Sequence, residues 1–131
     1  MYTIKRWKRF SGRPNSYLRS SDLRVTMGPR GGIYLNKVAW EKMGEPEAVE
    51  LLFDEGRGVI GLEVAEAWQE DSFPVRHKKR AHGKVIHANP FCVTYNLKPA
   101  RTIVFNEAHI DEKGVLELPL ASITVSARGM K

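Results

Sequence analysis

The chain has 131 residues, 42% apolar and 27% charged, with a formal net charge of +6. These values are ordinary for a globular protein and fit one compact domain, or two closely packed halves. The single cysteine, Cys92, excludes an internal disulfide and is the usage expected in a reducing compartment.

No stretch of about 18 apolar residues occurs, so no membrane-spanning helix is expected. The opening MYTIKRWKRFSGRP carries charge with no apolar segment behind it, unlike a secretory leader. The expected location is therefore the cytoplasm. Charge is strongly segregated along the chain. Residues 1–30 hold eight Lys/Arg and one Asp, a balance of +7. Residues 31–75 hold three Lys/Arg against ten Asp/Glu, a balance of −7. Residues 76–101 hold seven Lys/Arg and no acid, again +7. Such blocks create fields that steer polyanions more than the net charge implies, unless they pair with each other within the fold.

In chain order, residues 1–22 read as a basic arm. Residues 23–27 can form a short strand. Gly28-Pro29-Arg30-Gly31-Gly32 is a turn, because proline fixes φ and glycine permits positive φ. Ile33-Tyr34-Leu35 is strand-like. Asn36 stands where a helix N-cap belongs, before KVAWEKM, with Gly44 as the residue past its end and Pro46 barring continuation. Within that helix Ala39 and Met43 make an i, i+4 apolar pair. Residues 48–53 and 59–64 read as a hairpin around Asp54-Glu55-Gly56-Arg57-Gly58. Residues 65–83 form a polar connector with a basic end.

The second half is expected to repeat the first. Residues 84–87 make a strand, and Asn89 can cap a short helix that has Pro90 at its first position. Residues 102–105 and 115–120 then form a hairpin around Asp111-Glu112-Lys113-Gly114. Ile33 and Ile86 are 53 residues apart, as are Pro46 and Pro99, and Leu51 matches Val104 at the same offset. Val59 matches Val115 at 56, so the second hairpin connection is three residues longer. The expected fold is α+β and β-rich: two pseudo-repeated strand–short helix–β-hairpin units packed into one barrel-like domain. Its expected divisions are an arm at 1–22, a unit at 23–64, a connector at 65–83, a unit at 84–125 and a tail at 126–131.

The first unit, RVTMGPRGGIYLNKVAWEKMGEPEAVELLFDEGRGVIGLEV, resembles the AbrB-like swapped-hairpin transcription regulators. The resemblance lies in a strand, a Gly-led apolar strand at Gly32-Ile33-Tyr34-Leu35, a short helix ending near Gly44, and a hairpin. Two such units in one chain resemble the MraZ branch of that superfamily. The chain also resembles small uncharacterised bacterial and phage proteins. Asn36 replaces the usual proline after the Gly-led strand, Glu45-Pro46-Glu47-Ala48 replaces the usual glycine–acid step, and the second unit lacks the Gly-Arg/Lys strand opening. The resemblance implies DNA binding in transcription regulation, with Arg24, Arg30 and Lys37 in the stretch that matches the DNA-contacting region.

Two basic clusters carry the same expectation by chemistry. Lys5, Arg6, Lys8, Arg9 and Arg13 alternate with Trp7 and Phe10. Arg76, Lys78, Lys79, Arg80 and Lys84 form the second cluster. Such cations neutralise phosphates and release counterions, and aromatic rings stack on unpaired bases. The partner expected is DNA or another polyanion. The rival reading is a structural or adaptor protein whose basic arm holds an acidic protein.

Other chemistry is weaker. His77, His82, His87 and Cys92 recur every five residues, which is not zinc-finger spacing and keeps neither a helix face nor a strand face. The acidic pairs Asp54/Glu55, Glu70/Asp71 and Asp111/Glu112 are ordinary turn formers. No phosphate-binding loop or nucleophile elbow is present. No catalytic residue, metal or cofactor is therefore expected, and the oligomeric state is left open.

Overall fold

The computed structural model describes residues 23–78 and 83–126. The arm with Lys5, Arg6, Lys8, Arg9 and Arg13, together with Lys79, Arg80 and the tail beyond Ser126, lies outside the described residues. The protein is α+β and strand-rich, built on two sheets. In chain order its elements are β1 (Val25–Met27), β2 (Gly32–Leu35), α1 (Lys37–Lys42), β3 (Ala48–Asp54), β4 (Val59–Ala65), β5 (Phe73–Pro74) and β6 (Arg76–His77). There follow β7 (Lys84–His87), α2 (Asn89–Tyr95), β8 (Ile103–Phe105), β9 (His109–Ile110), β10 (Leu116–Pro119), a 3-10 turn (Leu120–Ser122) and β11 (Ile123–Val125).

Local chemistry sets the first unit. Pro29 and Gly31, the latter at φ +84°, reverse the chain between β1 and β2. Asn36 accepts a hydrogen bond from the Ala39 amide at 2.8 Å and so caps α1. Ala39 and Met43 are buried, and Gly44 leaves the helix at φ +94°. The β3–β4 hairpin closes where the Gly58 amide donates to Asp54 O at 2.8 Å.

The strands form a six-stranded sheet in the order β11-β8-β1-β2-β7-β6 and a five-stranded sheet in the order β5-β3-β4-β10-β9. Every pairing is antiparallel. Val25, Met27, Ile33, Leu35 and Ile86 of the first sheet share one core with Val49, Ile60, Leu62, Leu116 and Leu118 of the second. The two sheets therefore pack face to face, and each turns its other face outward. Phe91 and Cys92 of α2 and Ala39 of α1 complete the core.

Four expectations change. The sheets are two open layers with free edges rather than a closed barrel. The second hairpin is β9–β10, not 102–105 with 115–120: β8 crosses to the other sheet and pairs with β1 and β11. The three extra residues of this connection fall where the chain leaves one sheet for the other. In the polar connector, β5 borders the five-stranded sheet and β6 the six-stranded one, with only Val75 between them. Asn89 is the first residue of α2 and Ala88 its N-cap, because Ala88 is held by a 2.8 Å bond from its amide to Gly31 O.

The strand pairing does not establish the expected two-unit repeat. Ile33 and Ile86 are direct partners in the β2–β7 ladder, and a short helix follows each strand. β3 and β8, which the repeat would equate, lie in different sheets.

Candidate nucleic-acid interface

The outer face of the six-stranded sheet can be read from register and alternation. Val25 and Met27 point into the core, so Thr26 between them points outward. Thr26 pairs with Tyr34, Tyr34 with Val85, and Val85 with Arg76, and cross-strand partners share a face. One row of this outer face is therefore Thr26, Tyr34, Val85 and Arg76.

The adjoining row adds two cations. The Asn36 amide donates to Arg24 O at 3.0 Å, and the Arg24 amide donates to Asn36 Oδ1 at 3.1 Å. These bonds extend the β1–β2 ladder by one pair and put Arg24 on the face of Thr26. The Lys78 amide donates to Gly83 O at 3.1 Å, which extends the β6–β7 ladder equally. Lys78 Nζ lies 5.1 Å from the centroid of the Tyr34 ring, on that same face. Three strand spacings, about 14 Å, separate the strands of Arg24 and Lys78. Among the described residues this face carries Arg24, Arg76 and Lys78 and no carboxylate.

Tyr34 lies flat between them because the neighbouring backbone leaves room. A Cβ on Gly32 would sit 2.8 Å from the Tyr34 hydroxyl oxygen, and one on Gly28 would sit 3.6 Å from its ring. The ring thus covers bare backbone on one side and carries Lys78 on the other.

The remaining basic residues are placed differently. Arg30 is exposed in the β1–β2 turn, at the far end of these strands from Arg24. Lys37 opens α1 beside Asn36, and its ammonium is 4.0 Å from Glu41 in an exposed i, i+4 pair. Lys84 departs from the expectation. It pairs with Leu35, whose side chain is in the core, and is itself only 7% exposed. Its ammonium lies 4.2 Å from the Trp40 ring centroid and 2.6 Å from His77 Nδ1. Alternation turned this lysine inward, so it is not offered to a phosphate in solvent.

The five-residue series disperses. Cys92 is buried against Met27 Sδ at 3.8 Å, and burial pushes its thiol pKa up. His77 holds Lys84, while His87 is exposed at the end of β7, opposite Gly32. His82 lies outside the described residues. Among those described, no group of three His, Cys, Asp or Glu residues could hold a metal ion. No described helix is long and apolar enough to cross a membrane.

The opposite outer face is acidic. Val49, Ile60, Leu62 and Leu116 point inward, so Glu50, Leu52, Glu63 and Glu117 point outward. Glu50 and Glu63 are direct cross-strand partners. Arg57 donates to Asp54 at 2.7 Å and to Glu117 at 3.3 Å, and its hydrogen bond holds the Asp54 carboxyl below its ordinary range. His109 Nε2 is 3.1 Å from Glu117. Glu50 and Glu63 of the acidic block thus lie on the outer face of one sheet, and Arg24, Arg76 and Lys78 of the basic blocks on that of the other. No family model, curated protein or solved structure matches this chain.

Proposed function

We propose that this chain is a non-enzymatic DNA-binding protein that meets the phosphate backbone with the outer face of its six-stranded sheet. The observation that carries the reading is the register that puts Arg24, Arg76 and Lys78 on one face around Tyr34, free of carboxylates among the described residues. These residues come from the two basic blocks of the sequence, with Arg24 and Arg76 52 positions apart, so their meeting is a product of the fold.

The geometry favours backbone contact over base reading by the sheet itself. Six strands span about 24 Å, wider than a major groove of about 12 Å. The face would therefore lie against phosphates across a groove. The narrow β1–β2 turn, with Arg30 exposed on it, is the part slim enough to enter one. Transcription regulation of the AbrB-like kind is the form of this function that the resemblance of the first unit implies. The Ile33–Ile86 pairing supports reading the two strand–helix pieces as copies of one unit, as in the MraZ branch.

Fluorescence anisotropy with a mixed-sequence duplex tests the proposal. Binding is expected at low salt and should fall steeply as salt rises, because each phosphate contact releases counterions. No binding at low salt would sink it. A complex with an acidic protein that survives nuclease treatment would favour the adaptor reading instead.

A further inference from the structure

The two outward faces of the sandwich are complementary to each other. One carries Arg24, Arg76 and Lys78 around Tyr34, Val85 and Thr26. The other carries Glu50 and Glu63 beside Leu52, which is 42% exposed, with Glu117 held by Arg57 and His109 on the row next to the Glu50–Glu63 pair. Because the sheets share a core, these faces lie on opposite sides of one molecule and cannot meet within it.

The acidic face has an unmet requirement. Glu50 and Glu63 stand directly opposite each other on neighbouring strands, an arrangement that repels. Arg57 is committed to Asp54 and Glu117 on another row, and no ion pair to Glu50 or Glu63 occurs among the described residues. A cation arriving from outside would relieve the repulsion, and Leu52 beside the pair offers apolar area to a partner. The basic face presents its cations around the half-buried Tyr34 and Thr26, while Val85 among them is only 7% exposed.

We propose that the acidic outer face of one copy docks on the basic outer face of a second copy. The contact is heterologous: the first copy keeps its basic face free and the second its acidic face, so association extends into open chains rather than stopping at a two-fold dimer. Ionic contacts of this kind weaken with salt. The inference does not depend on nucleic-acid binding. If both hold, DNA and the acidic face compete for the same cations.

Sedimentation velocity of the full chain over a concentration series tests this, at about 25 mM and about 500 mM salt. The low-salt sedimentation coefficient is expected to rise with concentration, and high salt should return it to the monomer value. Glu50→Lys/Glu63→Lys and Arg76→Glu/Lys78→Glu, each checked for an unchanged melting profile, should be monomeric alone at low salt. An equimolar mixture of the two should associate, because each supplies the intact face the other lacks. A wild type that stays monomeric at low salt would overturn the proposal, as would a folded Glu50→Lys/Glu63→Lys variant that associates like wild type. So would a mixture that stays monomeric. Glu50→Lys/Glu63→Lys keeps the basic face, so its duplex binding reports on the nucleic-acid reading separately.

Discussion

Lys84 Nζ lies 2.6 Å from His77 Nδ1, a bond that joins the edge strand β6 to its neighbour β7. A lysine ammonium only donates, so His77 accepts through an unprotonated Nδ1. The Trp40 ring beneath the ammonium supplies a second attraction. Lys84 is thus a structural cation among basic residues of another kind. Lys84→Ala is expected to cost about 1–3 kcal/mol in denaturant unfolding, through lost stem packing, the cation–ring contact and the hydrogen bond. Its effect on duplex affinity should be smaller than that of Arg76→Ala under the same conditions.

Asn36 joins two pieces of the first unit. Its side-chain oxygen accepts from the Ala39 amide, capping α1, and from the Arg24 amide, extending β1. Asn36→Ala should destabilise the protein by about 1–2 kcal/mol, since a cap is lost and a strand-end amide loses its acceptor. Chemical denaturation measures this directly. Far-UV circular dichroism below the transition should remain that of the folded protein.

The Glu50–Glu63 pair makes an opposite prediction. Glu63→Lys replaces a repelling cross-strand pair with an attracting one on an exposed part of the sheet. It should stabilise by about 0.2–1 kcal/mol, read as a higher melting temperature in dilute low-salt solution. The gain should shrink as salt is added.

Asp111 gives a pH signature. Its carboxylate accepts from the Val115 and Lys113 amides at 2.9 Å each, and the Val115 bond first of all lowers its pKa. A carboxyl whose folded pKa is depressed adds stability above its unfolded pKa and loses that contribution as pH falls through the folded one. The melting-temperature gap between wild type and Asp111→Ala is therefore expected to be widest near neutrality. It should narrow as the pH drops below the ordinary carboxylate range.

What was legible in the sequence was local. The Asn36 cap, the Gly44 exit and the Asp54–Gly58 turn each depend on residues within a few positions of one another. The fate of β8 was not legible. Its partner β1 lies far earlier in the chain, and only three extra residues mark its departure from the hairpin pattern. The strands β5 and β6 were hidden because each is two residues long and polar or proline-containing. The same division applies to the candidate site. Arg24, Arg76 and Lys78 could be named as basic residues, but their common face depends on the order β1-β2-β7-β6, which joins distant segments. Composition marked Lys84 as one more cation, whereas its ladder partner Leu35 decides that it faces inward.

Under the proposed function, three cations brought together by the sheet contact nucleic-acid phosphates. The most direct measurement is the slope of log affinity against log salt for a mixed-sequence duplex, wild type against Arg24→Ala/Arg76→Ala/Lys78→Ala. Each lost phosphate contact should reduce the slope by about 0.9, so the triple variant should bind more weakly at low salt and depend less on salt. A folded triple variant with the wild-type affinity and slope would contradict the account.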